Sequence, residues 1–304
     1  MEYSVGFVVN PESRGGETGR TWEKKLKVIE RELKHPFEYR IAEGIGTGVV
    51  ATKDLIAEGH NLIVAVGGEG TANEVVNGIM ESGKDVALGF IRSGTVNDYL
   101  KVIGWPHSLE EQIGLLNRGE TRRTPVTRSE AVGEATRYGL NVADIGIGTS
   151  ISYDASVKRS ITWIKSGLRY TLLALKAILK WKNLPVVIRT DDETIEGDLT
   201  LFMAGYSNES GAYRVLPQAN PWGIKMAYMA AMGFSKLSML RLMGVLKKGG
   251  HEGYKNVYLG FTQKIELESE VPLMVEVDGE VFGFNTQKVI VEGVPEAIPV
   301  ISTE

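Results

Sequence analysis

The chain has 304 residues, enough for two ordinary domains at roughly 100–200 residues each. Its 43% hydrophobic and 24% charged composition is that of a folded globular protein, and a net charge of −4 argues against a dedicated nucleic-acid binder. The absence of cysteine removes disulfides, thiolate nucleophiles and Cys-ligated metal sites, and the histidines (His35, His60, His107, His251) are too scattered for a His-rich centre.

The first residues carry no basic region ahead of a long apolar run, and no stretch reaches ~18 consecutive apolar residues, so a cytoplasmic protein without a membrane span is expected. Residues 3–9 form a short β-branched run stopped by Asn10-Pro11, and 22–33 follow with apolar residues at helical spacing. A strand over 37–41, a helix over 49–58, a strand over 62–66, a helix over 71–80, a strand over 86–91 and a helix over 95–103 complete the rhythm. Such alternation means a doubly wound, mostly parallel α/β domain. After about residue 125 the segments become short and strand-like (137–142, 185–190, 199–204, 257–261, 264–267, 273–277, 287–291), interrupted by one long helix, the pattern of an antiparallel sandwich or barrel. The expected domains are 1–125 and 126–304, with the last ~10 residues returning to the first.

Glycine is in excess, 36 residues, and much of it falls where strands of the first domain hand over to helices. One junction reads Gly67-Gly68-Glu69-Gly70-Thr71-Ala72-Asn73-Glu74, and a second reads Ser93-Gly94-Thr95-Val96-Asn97-Asp98. A third loop, Asn10-Pro11-Glu12-Ser13-Arg14-Gly15-Gly16, leaves the first strand on the same side. Glycines there either make tight turns or let backbone N–H groups approach an anion at a helix N-terminus. No P-loop, dinucleotide fingerprint or G-x-S-x-G elbow is present. By spacing alone, Asp278-Gly279-Glu280 reads first as a solvated hairpin turn, and second as two carboxylates on one strand face.

Residues 67–78 resemble the GGDGTxNEVxNG signature of the diacylglycerol kinase catalytic-domain family, which includes soluble bacterial lipid kinases and sphingosine kinases. Asn10-Pro11-Glu12-Ser13 is similar to its N-P-x-[SA] turn, residues 94–98 to its G-T-x-N-D motif and Asp278-Gly279-Glu280 to its D-G-E. The motifs fall in family order over nearly the whole chain. The resemblance implies an α/β, NAD kinase-like domain followed by a β-sandwich, with ATP and its Mg2+ in the cleft and a lipid hydroxyl as acceptor. It assigns nucleotide binding to Asn10, Pro11, Ser13, Gly67, Gly68, Glu69, Gly70, Thr71, Asn73, Glu74, Ser93, Gly94, Thr95, Asn97 and Asp98. It makes Glu280 the general base, with Asp278 beside it.

The chain departs from the family pattern at Glu69 (Asp in the family), Arg92-Ser93 (usually Pro-Leu), Val96 (often Gly) and Ala42 (often Thr). Arg92 is expected either to bring positive charge near a phosphate or to alter which nucleotide or acceptor fits. Trp222 stands where family members carry an Asp that helps hold a structural Mg2+, so that metal is expected to be lost, since indole does not ligate a hard cation. Residues 154–182 hold seven basic residues and one acidic, +6 against −10 for the rest, with leucines and lysines on separate helical stripes. A solvated basic side on a helix packed against the sandwich and a surface for anionic lipid both suit it. A second basic stretch, 235–251, is placed to join it. Glycerolipid and sphingoid acceptors are both open, as is the oligomeric state, a homodimer included. A member that binds nucleotide or lipid without turnover and an NAD kinase-like enzyme are the alternatives.

Overall fold

A computed structural model describes residues 3–93, 98–157, 166–211 and 213–302, with the backbone alone at 155–157 and 166–171. The chain divides into two compact units, Met1–Val126 with Pro295–Glu304, and Thr127–Val294.

In the first unit the elements run β1 (Val5–Val9), α1 (Ser13–Glu32), β2 (Phe37–Ile41), α2 (Thr47–Ala57), β3 (Leu62–Gly67), α3 (Glu69–Ser82), β4 (Ala87–Arg92), α4 (Asp98–Val102) and α5 (Leu109–Arg118). The strands lie parallel in the order β2-β1-β3-β4, and Val300 from the chain's end pairs in parallel with Leu88 of β4. Every residue of β1 and β3 is buried, which is why both read as unbroken apolar runs. Helix α1 opens with a kink, because Arg14, Gly15 and Gly16 adopt φ of 56°, 65° and 82°. Helices α2 and α3 approach closely at Gly78, where a Cβ would stand 2.5 Å from Thr52 Cβ. Helix α5, absent from the sequence expectation, has a capping box: Ser108 Oγ accepts from Glu111 N at 3.2 Å and donates to Glu111 Oε2 at 2.7 Å.

The second unit takes in most of β5 (Thr121–Ala131), followed by β6 (Ala135–Gly139), β7 (Val142–Gly146), α6 (Ile147–Val157), α7 (Ser166–Lys180), β8 (Leu184–Arg189), β9 (Thr194–Gly205), β10 (Met226–Met232), α8 (Lys236–Leu246), β11 (Val257–Thr262), β12 (Lys264–Val277) and the larger part of β13 (Glu280–Ile301). Among the described residues, the pairings β10–β11, β9–β10, β12–β13, β7–β12, β8–β12, β5–β6, β7–β9 and β8–β9 are antiparallel. The long strands β9 and β12 each pair with β7 along one stretch and with β8 along another, closing a barrel-like sandwich around Phe202, Ile188, Leu267 and Val275. The other face of β9 and β10 is covered by α7 and α8 through Ile178, Met239, Leu242 and Leu246.

Two details correct the sequence expectation. Residues 137–142 are not one strand: β6 ends at Gly139 and β7 begins at Val142, with Leu140 and Asn141 turning between them. Helices α6 and α7 are described within and beside the expected long helix, and helix α8 and strands β5 and β10 are additional. Strand β10 is buried on both faces, Met226, Tyr228 and Ala230 inside the sandwich and Ala227, Met229 and Ala231 under the helices, so it shows no polar alternation. Among the described residues no helix is long and apolar enough to cross a membrane.

Candidate functional site

In the first unit the strand-to-helix loops converge. Asn10 N donates to Val66 O at 3.1 Å, and Asn10 Oδ1 accepts from Glu12 N at 3.0 Å, which folds the Asn10-Pro11 turn back on itself. Ser13 Oγ lies 3.4 Å from Thr71 Oγ1. Gly67 sits against both hydroxyls: a Cβ there would be 2.3 Å from Thr71 Oγ1 and 2.9 Å from Ser13 Oγ, so only glycine fits. Gly68 is the N-cap of α3 and supplies no capping side chain, while Ala72 N is the donor that closes the first turn onto Gly68 O. The N–H groups of Glu69, Gly70 and Thr71 precede that first closure, the arrangement that receives a phosphate at a helix start. This donor set fits the nucleotide that the sequence resemblance implies.

Ser93 joins the same cluster. Its N–H donates to Gly67 O at 3.1 Å, and its buried Oγ accepts from Thr18 Oγ1 at 2.6 Å and from Lys25 Nζ at 2.8 Å. Burial holds the Lys25 ammonium below its usual pKa. Among the described residues no carboxylate forms an ion pair with it, and no sequence pattern marks it. Asn73 and Asn77 are buried together, with Asn77 Nδ2 donating to Asn73 O and Oδ1 at 2.8 and 3.1 Å. Glu69 Oε1 accepts from Asp98 N at 2.7 Å, so the longer acid in place of the family's Asp holds the start of α4. Ala42 is buried and donates its N–H to Val9 O. Gly94, Thr95 and Asn97 lie outside the described residues.

Three side chains of the sequence assignment are placed differently. Glu74 turns away from the glycine loop: Oε1 accepts from Gly46 N and Oε2 from Gly48 N, each at 2.7 Å, so its carboxylate caps α2, whose N-cap Gly46 has no side chain. Arg92 donates to Trp105 O at 3.4 Å rather than joining the loop cluster, and its N–H meets Gln112 Oε1. Asp278 does not share a strand face with Glu280. The strands pair Val277 with Glu280, and Asp278 and Gly279 form the two-residue turn between them with φ of 52° and 89°. Nor is that turn solvated at Asp278, which is buried: Oδ2 accepts from Leu140 N at 2.8 Å, and Oδ1 from Asn141 N and Val142 N at 2.9 and 3.1 Å. Asp278 therefore locks the β6–β7 corner onto the hairpin, whereas Glu280 is exposed at the hairpin's start. Trp222 is half-buried, its N–H on Asn220 Oδ1.

Helix α7 also differs from its sequence pattern. Leu173, Ala174 and Ile178 are buried, but the leucines at 172, 175 and 179 are exposed, Leu179 by 67%. Leu237 and Leu240 are exposed on α8, a helix packed beside α7, and Lys236 Nζ donates to Leu179 O. Residues 158–165 of the basic stretch lie outside the described residues. Elsewhere, Glu38, Glu58 and His60 form a three-group cluster of metal-ligating type, but Arg40 already pairs with both carboxylates.

Comparison with known proteins places this geometry among relatives. Residues 4–129 match the diacylglycerol kinase catalytic domain, and residues 145–302 match the YegS C-terminal NAD kinase beta sandwich-like domain. A diacylglycerol kinase of Staphylococcus saprophyticus is 26% identical over 287 residues, covering 93% of this chain and 90% of the relative. One from Staphylococcus aureus is likewise 26% identical, over 93% and 88%. The crystal structure of a diacylglycerol kinase from Bacillus anthracis superposes with a TM-score of 0.72 at 18% identity, covering 99% of this chain and 97% of that one, a likeness of fold.

Proposed function

Since the chain belongs to the diacylglycerol kinase catalytic-domain family, with that family's β-sandwich-like domain behind it, we propose that it transfers the γ-phosphoryl group of ATP to a lipid hydroxyl, diacylglycerol or a related lipid. The observation that carries this reading is the uncapped N-terminus of α3, ringed by Ser13, Gly67 and Thr71. Backbone donors and hydroxyls there hold phosphate oxygens without covalent chemistry, which is most of what phosphoryl transfer asks of a protein. Mg2+ accompanies the nucleotide and neutralises its phosphates. Glu280, exposed and carried on a hairpin fixed by Asp278, takes the proton of the lipid hydroxyl as its oxygen bonds to the γ-phosphorus and ADP leaves. The exposed leucines of α7, beside Lys176 and Lys180, suit docking to an anionic membrane surface, which brings a soluble enzyme to a lipid substrate.

The test is transfer of radiolabel from Mg-ATP into a total lipid extract. A labelled phospholipid is expected, with loss of at least 100-fold in Glu280→Gln while the fold persists. Full activity in that variant sinks the assigned base. Label in NADP rather than lipid would favour an NAD kinase, and nucleotide binding without transfer to any lipid would favour a member without turnover.

A further inference from the structure

Behind the Asp278-Gly279 turn lie two buried carboxyl groups that the proposed reaction does not use. Asp144 on β7 and Glu276 on β12 are cross-strand partners, 3% and 5% exposed. Helix α6 is laid directly on Asp144: Thr149 Oγ1 donates to its Oδ1 at 3.4 Å, and a Cβ at Gly148 would stand 1.9 Å from its Oδ2. Glu276 accepts from the Ser152 side chain of α6 and from the N–H of Gly279, the glycine between Asp278 and Glu280. Its Oε2 is buried and has no hydrogen-bond partner.

Among the described residues no cation balances these two carboxyl groups, and only hydrogen bonds from Thr149, Ser152 and Gly279 favour their charged forms. Asp278 and Glu280 from the hairpin act on Glu276, and Glu276 in turn acts on Asp144, like charge on like in each case. Among the described residues no Lys, Arg or His pairs with Asp144 or Glu276, and no third ligand completes a metal cluster with them. Asp278 is satisfied as a carboxylate by three backbone donors. Glu276 is not, since one of its oxygens is left without a donor. Two adjacent buried charges of like sign and no counter-ion cost more than keeping a proton.

We propose that Asp144 and Glu276 retain one proton between them at neutral pH, and that Glu276, through the Gly279 N–H, is a positioning residue for Glu280. The positioning half rests on the assignment of Glu280 made above. Burial, reinforced by the neighbouring acids, pushes Glu276 up to about 7, and burial together with the Glu276 charge raises Asp144 well above the carboxylate range. Neutralising one member removes the repulsion that would otherwise push the hairpin from β7.

Infrared spectra of the whole protein without substrate test the proton. At pH 6 a protonated-carboxyl stretch is expected, fading as pH passes about 7 in the wild type and at lower pH in Glu276→Gln, where Asp144 stays buried but loses the neighbouring charge. A wild-type spectrum without that band, or a band unchanged in Glu276→Gln, overturns the proposal. Should Glu276→Gln fail to fold, Asp144→Asn is expected to move the fade to lower pH by at least about one unit, and an unchanged midpoint overturns it equally. In the lipid-phosphorylation assay, Glu276→Leu is expected to lower kcat at least tenfold with KM for the lipid unchanged. Glu276→Gln, which keeps a neutral polar group, is expected to recover most of that loss; equal kcat in all three proteins overturns the positioning role. The infrared arm needs no turnover, so its failure removes the retained proton alone. Full activity in Glu280→Gln removes the assigned base and leaves the infrared result standing.

Discussion

At the scale of single residues, Lys25 is the cation at the head of the second glycine loop. A half-buried ammonium held by a serine hydroxyl, with no carboxylate paired to it among the described residues, is poised to gain from an arriving anion. Lys25→Met is expected to raise KM for Mg-ATP about tenfold, the effect of roughly 1.4 kcal/mol, with kcat little changed; kinetics at varied ATP checks this. Glu74→Gln acts differently, on stability. Its amide has one acceptor oxygen where the carboxylate offered two, so either Gly46 N or Gly48 N loses its partner, at about 1–3 kcal/mol measurable by urea unfolding. Glu69→Asp shortens the reach to Asp98 N, and is expected to loosen α4 and lower turnover rather than restore it, which a direct comparison of rates decides. These residues also show what the motifs could convey. The glycine loops were legible because glycine and small hydroxyl residues are needed wherever backbones and a helix start crowd together, as at Gly67. Lys25 was not, because one lysine in a charged helix carries no spacing signal. That Glu74 and Asp278 cap backbone N–H groups was not legible, because a carboxylate in a motif looks the same whether it faces a ligand or caps the chain.

The elements tell a similar story through burial. Strands β1 and β3 of the first unit could be read because each is an unbroken buried run followed by a helix, whereas the edge strand β2 mixes Glu38 and Arg40 with apolar residues. Strand β10 and the break between β6 and β7 could not: β10 is buried on both faces, and the break is set by Asp278, far along the chain. Helix α5 carried a legible capping box, Ser108 with Glu111 and then Gly119 at φ 66°, that hydrophobic periodicity alone overlooks. In α7 periodicity chose the wrong face. Leu172, Leu175 and Leu179 are exposed, whereas Leu173, Ala174 and Ile178 are buried. An exposed Leu179 gains about 2 kcal/mol on entering an apolar phase, and Lys180 about 1 kcal/mol near an anionic surface. The pair Leu179→Ser with Lys180→Gln is therefore expected to weaken binding to anionic vesicles roughly 100-fold, with thermal stability nearly unchanged. Vesicle sedimentation checks the first expectation, and a melting curve the second.

On the scale of the whole molecule, buried ionisable groups set how stability follows pH, and here two of them oppose each other. His251 is fully buried, with Nε2 2.9 Å from Val215 O and Nδ1 unpartnered, and burial holds its pKa below 6.5. The unfolded chain binds that proton more readily, so this contribution is present above about pH 6.5 and is lost as pH falls into the folded-state range. Glu276 has the opposite sign: raised from 4.5 to about 7, it gives a contribution that is present below pH 4.5 and lost as pH rises through about 7. The exposed pairing of Glu266 with Lys288 and Lys264, which lowers Glu266 to about 2, acts only below pH 4.5 and leaves this window alone. Between about pH 5 and 6.5 the two buried groups partly cancel, each with a limiting slope of ~1.4 kcal/mol per pH unit. His251→Gln, whose amide still donates to Val215 O, is expected to lose stability steadily as pH rises across the window, whereas Glu276→Gln combined with Asp144→Asn, which removes both raised carboxyls, is expected to gain it. Melting temperatures at half-unit pH steps decide the matter: opposite slopes in the two variants follow from this balance, and parallel slopes rule it out.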